Sequence, residues 1–111
     1  MIKIDLNQQI EIQRGDFAEF YITFTKNPPE DGMEILFTVK RTAMENRVWI
    51  EKRYIVQGGR ILVQLTNSDT KGMAFGRYEW DIRIPNLYGE KEPYTPMNPK
   101  PFVVAKVVGN V

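Results

Sequence analysis

Glu79 and Asp81 stand two residues apart on one alternating run and come nearest to a reactive pair. Together with Glu11, Glu19 or Asp16 they could supply two carboxylates for glycoside hydrolysis, or oxygen ligands for calcium. Arg77 and Arg83 flank them on the same outward face, the arrangement of a solvated or cross-strand-paired surface. No DxDxDG-type loop gathers oxygens around one point. The chain has no His and no Cys, which removes the commonest general base and metal ligand and the best thiol nucleophile. Ser68 and Thr70 therefore lack an imidazole to activate them, and no GxSxG elbow is present. The expectation is a protein with no catalytic residues, no metal and no organic cofactor.

Binding chemistry has more places to reside. Arg14-Gly15-Asp16 matches an integrin-type adhesion tripeptide, but Gly and Asp in this order are also turn formers between strands. Lys40-Arg41 and Lys52-Arg53-Tyr54 could lie on neighbouring strands and, with Trp49 and Tyr54 exposed, form a basic-aromatic surface for sugar or single-stranded nucleic acid. The bland alternative is a solvated face whose cations blunt a sheet edge. Pro93, Pro96, Pro99 and Pro101 describe a stiff, extended arm that carries Tyr94 and Met97. Such an arm is either an SH3-type ligand, a contact for a neighbouring subunit, or a rigid loop. The expected partner-contact residues are Tyr94, Pro96, Met97, Pro99, Trp49 and Tyr54.

The elements that must position these residues are strands. Ile61, Val63 and Leu65 face one way, and Arg60, Leu62, Gln64 and Thr66 face the other. Tyr78, Trp80, Ile82 and Ile84 alternate with Arg77, Glu79, Asp81 and Arg83. Period-two patterning of this kind marks half-buried strands over a shared core. The run Phe17–Thr25 also alternates well, further runs start at Ile2, Ile10, Ile35 and Phe102, and Val48–Val56 is a weaker strand with Val48 and Ile50 as inward positions. Asn27–Gly32 and Gln57–Arg60 are turns. Thr66–Met73 is the one plausible helical turn, capped by Thr66 or Asn67, with Asp69 near its positive end. Seven or eight strands at such spacing predict an all-β, antiparallel sandwich, although periodicity alone leaves a barrel open. The expected core is Phe20, Ile22, Phe24, Phe37, Val39, Val63, Leu65, Tyr78, Trp80, Ile82, Phe102 and Val104.

At 111 residues the chain is read as a single domain spanning 1–111, long enough to bury a core without disulfides. Charged residues make up 26% of it yet nearly cancel, at +1, which argues against a general nucleic-acid or membrane-surface footprint. No apolar stretch approaches the roughly 20 residues of a membrane span, and the first six residues form no signal-peptide core. The chain is expected in the cytoplasm until assembly.

The order of several segments resembles the immunoglobulin-like domain of tailed-phage tail and baseplate proteins, in particular the N-terminal domain of baseplate upper proteins. The residues that carry the resemblance are Ile12-Gln13-Arg14-Gly15-Asp16-Phe17, Ile35-Leu36-Phe37-Thr38-Val39-Lys40, Gly58-Gly59-Arg60, Leu65-Thr66-Asn67-Ser68-Asp69-Thr70 and Gly76-Arg77-Tyr78-Glu79-Trp80-Asp81-Ile82. It runs from about Ile10 to Val108. The resemblance implies an immunoglobulin-like sandwich that serves as a structural part of a virion tail or baseplate and docks onto neighbouring protein subunits or copies of itself. It carries over no catalytic residue. A carbohydrate- or cell-surface-binding module is the competing expectation.

Overall fold

The computed structural model describes residues 2–4, 9–24, 30–42, 44–84 and 100–106. Among these are eight strands and one short helix: β1 Ile2–Ile4, β2 Ile10–Gln13, β3 Ala18–Thr23, β4 Glu34–Lys40, β5 Ile50–Ile55, β6 Arg60–Leu65, α1 Asn67–Lys71, β7 Gly76–Arg83 and β8 Lys100–Ala105. They form a six-stranded sheet in the order β1-β2-β8-β7-β4-β5 and a two-stranded sheet of β3 and β6. The architecture is all-β and sandwich-like.

One expectation is corrected. The sandwich is not purely antiparallel, because β2 pairs with β8 in parallel, Ile10 opposite Phe102 and Ile12 opposite Val104. Parallel neighbours cannot be joined by a tight hairpin. These two strands come from opposite ends of the chain, so no turn dictates their relative direction. Every other pairing is antiparallel.

The core lies where the alternation places it. Phe37, Val39, Val63, Leu65, Tyr78, Trp80, Ile82, Phe102 and Val104 are buried, and Phe20 is nearly so. Ile22 and Phe24 are only partly buried, packed against the edge of the core cluster. Ile10, Ile12, Ile35, Ile50, Ile61 and Met73 join the cluster. Val48 does not: it is exposed, and β5 starts two residues later at Ile50.

Local chemistry explains the connections. At the tight turn that carries the chain from β5 in one sheet to β6 in the other, Gln57 bridges Arg60, while Gly58 and Gly59 take φ of 65° and 71°. Two successive positive φ values are what a type I′ turn requires, and Gly reaches them without a steric penalty. Asp69, the third residue of α1, reaches back to accept the Thr66 N–H at 2.7 Å, tying down the helix start. Arg14 and Gly15 turn the chain from β2 into β3: the Asp16 N–H donates to the Gln13 carbonyl, and Gly15 has φ of 87°. The adhesion-like tripeptide is thus a turn.

Candidate functional site

Tyr54 and Lys52 occupy a corner between the two sheets. The β4–β5 register sets Tyr54 opposite Ile35 and Lys52 opposite Phe37, so both share the core-facing side of an edge strand. Residue β6 Gln64 is paired with β3 on one side only. Its free peptide edge is met by the Tyr54 hydroxyl, which donates to the Gln64 carbonyl and accepts from the Gln64 N–H, each at 3.2 Å. The phenol substitutes for a missing strand neighbour. Lys52 reaches Asp69 of α1 at 3.1 Å, so the same corner is also spanned by an ion pair.

Burial pushes the Tyr54 phenol above its usual 10.0; the hydrogen bond from the Gln64 backbone and the Lys52 charge partly oppose this, and Asp69 adds to it. A raised folded-state value means that the native protein holds this proton more tightly than the unfolded chain. The associated stability is fully present below pH 10.0 and is lost as pH rises through the folded-state value. Tyr54→Phe is expected to cost about 0.5–1.5 kcal/mol at neutral pH. The gap between wild type and variant should narrow in urea melts run above pH 10. A gap unchanged into the alkaline range would show that the hydroxyl is not the coupling group.

The anticipated basic-aromatic surface of Lys40, Arg41, Lys52, Arg53, Trp49 and Tyr54 does not assemble. Successive residues of β5 alternate faces, so Lys52 turns inward to Asp69 while Arg53 turns outward and pairs with Glu34. Trp49 and Tyr54 are half-buried against the core rather than exposed.

Aromatic rings and cations meet elsewhere. The Arg41 guanidinium lies 4.7 Å from the Tyr78 ring centre, and that of Arg47 lies 3.7 Å from the Trp49 ring. Trp49 in turn stands edge-on to Tyr78 at 6.0 Å. Arg14 covers Phe75 at 4.1 Å, with the Lys106 ammonium 6.0 Å from the same ring. The strand directions bring all of these to one end of the large sheet: the ends of β2, β8 and β4 and the starts of β7 and β5. Gly76 makes room there. Its φ is 130°, and a Cβ would sit 3.4 Å from both terminal nitrogens of Arg41. Arg47, Phe75 and Lys106 were not legible as a group, because Phe75 meets Arg14 and Lys106 from other elements, and Trp49 meets Tyr78 across the sheet. The one sequence signal was the density of Arg between residues 41 and 47.

On the outer face of the large sheet Asp81 accepts a hydrogen bond from the nearly buried Thr38 hydroxyl. Among the described residues no three acidic side chains gather as a metal-binding group. The Arg83 Nε is buried without a hydrogen-bond partner. A shallow cleft of about 180 Å³ lies on the other side of the molecule, lined by Tyr21, Ile55, Gln57, Arg60 and Leu62, with Arg60 stacked on Tyr21 at 4.0 Å. Tyr94, Pro96, Met97 and Pro99 lie outside the described residues. Among the described residues no helix is long and apolar enough to cross a membrane.

No protein-family model, curated protein or solved structure matches the chain.

Proposed function

We propose that this chain is a non-enzymatic, immunoglobulin-like structural module of a phage or prophage tail or baseplate, which docks onto neighbouring virion subunits. The observation that carries the reading is the strand order. Pairing β3 with β6 in one sheet, and β4, β7 and β8 in the other, is how an immunoglobulin-like sandwich groups its B/E and C/F/G strands. The five segments that carry the resemblance to the tail-protein domain fall on the turn into β3, strand β4, the β5–β6 turn, the helix α1 and strand β7. Docking is favoured by the apolar side chains left in water, among them Phe17, Tyr21, Met44 and Ile55.

The test is sedimentation of tail particles from an induced lysogen that expresses the tagged chain. The chain is expected to travel with intact tails, and deletion of residues 94–99 to reduce that fraction. A chain found wholly in the free-protein fraction would overturn the reading.

A carbohydrate-binding module is the second reading, favoured by the cleft that Tyr21, Gln57 and Arg60 line. Loss of glycan-array signal on Tyr21→Ala would support it; an array blank for wild type would remove it.

A further inference from the structure

We propose that the cation-covered end of the six-stranded sheet is a docking surface for a carboxylate-rich segment of a partner protein. The inference rests on the docking reading above and names the surface and the chemistry of its partner. The segments at this end carry Arg14, Lys40, Arg41, Arg47, Lys71, Arg77 and Lys106 against the carboxylates Asp16, Glu45, Asp69 and Glu79, in a chain whose formal net charge is only +1. Cations therefore outnumber carboxylates at this end.

The arginines are held in place. Arg14, Arg41 and Arg47 each lie on an aromatic ring, at 4.1, 4.7 and 3.7 Å. A guanidinium stacked in this way keeps its N–H groups directed outward in its own plane, the fork that a carboxylate matches with two parallel hydrogen bonds. Less side-chain freedom remains to be lost on binding. The stacks span five adjacent strands, β2 to β5 in sheet order, a row of roughly 19 Å at the usual strand spacing. That length suits an extended peptide of several residues.

The neighbours of the row separate a protein partner from a nucleic acid. Phe17, Met44, Val48 and Phe75 are exposed on the same connecting segments. Aromatic residues, Met and Arg together are the composition of protein interfaces. Single-stranded nucleic acid would need open ring faces for its bases. Here Phe75 and Trp49 already carry a cation.

The experiment is an NMR titration of the full chain with a decamer of glutamate and, in parallel, with a thymidylate oligonucleotide of equal charge. The glutamate peptide is expected to shift the amides of residues 14–17, 41–49, 75–76 and 106, more weakly as salt rises. Arg14→Glu with Arg47→Glu should weaken binding roughly tenfold or more. Replacing Arg14, Arg41 and Arg47 together by Lys, which keeps the charge and the fold but removes the planar fork, should also weaken it. If the charge-reversed variant does not fold, the Lys variant carries the test. Shifts confined to other surfaces, affinity unchanged in the Lys variant, or tighter binding of the oligonucleotide would overturn the proposal. Tail sedimentation of the same variants separates the two claims. Wild type that fails to travel with tails removes the virion reading and leaves the titration result standing. Wild type that travels while the charge-reversed variant does not supports both.

Discussion

Trp80→Ala is expected to destabilise the protein by roughly 3–5 kcal/mol, the largest effect of any single substitution here. Trp80 sits in the middle of β7, which has β4 on one side and β8 on the other, and it is 3% exposed. Its ring lies 5.6 Å from that of Phe37, which is fully buried, and its register partner is the buried Val39. A central strand hydrogen-bonded on both edges cannot shift inward to fill the space that an indole leaves, so the cavity cost adds to the lost burial. A domain of this size has about 5–15 kcal/mol in total, and the alanine variant could lose much of its native population. Trp80→Phe, which leaves a smaller void, is the accompanying probe. Urea midpoints give the ordering: wild type above Trp80→Phe, and that above Trp80→Ala. Trp49→Ala should cost less than Trp80→Ala, because Trp49 is only half-buried and stands in the connection before an edge strand. Equal effects from the two tryptophans would contradict the assignment of Trp80 to the centre of the core.

Trp80 also shows why the fold was largely legible. In β7 each apolar residue alternates with a polar one, and in β6 only the outward Leu62 departs from that pattern; a strand has only two faces, so burial follows from period alone. The same rule misled at β5. Its inward positions after Ile50 are Lys52 and Tyr54, polar-ended residues that suggest a surface. They point inward because β5 is the last strand of its sheet and faces a gap, where β6 offers a bare peptide edge and α1 offers Asp69. A side chain with an apolar body and a polar tip fits such a corner. Nothing in the local pattern of Ile50–Ile55 reveals that the neighbouring strand has an open edge. The parallel β2–β8 pairing was hidden for a similar reason: it depends on which ends of the chain meet, and no turn links them. The group of ring-and-cation stacks draws its residues from several elements, so residue types alone announced only the ingredients.

Thr70 is a further case where residue type suggested one kind of role and position supplies another, and its removal is expected to have the second largest effect. A hydroxyl in α1 drew notice as a nucleophile without a base. The side chain is instead fully buried, and its Oγ1 accepts the Gly15 N–H at 2.8 Å across 55 residues of sequence. This bond ties the helix that follows β6 to the turn between β2 and β3, and so fixes the smaller sheet against the end of the larger one. Thr70→Val keeps the shape and a methyl group but removes the acceptor, leaving a part-buried N–H unpaired, at an expected cost of about 1–3 kcal/mol. Thr70→Ser keeps the oxygen and loses one buried methyl, worth roughly 0.8 kcal/mol. The two substitutions therefore separate hydrogen bonding from packing. Valine should be the more damaging, and hydrogen exchange at the Gly15 amide should accelerate in the valine variant and stay slow in the serine one. A serine variant less stable than the valine one would mean that the methyl group, rather than the hydroxyl, holds this junction. The outcome bears on docking as well, because the turn anchored by Thr70 presents Arg14 to Phe75. Loosening it should weaken the glutamate peptide's hold on that end of the sheet without touching any cation.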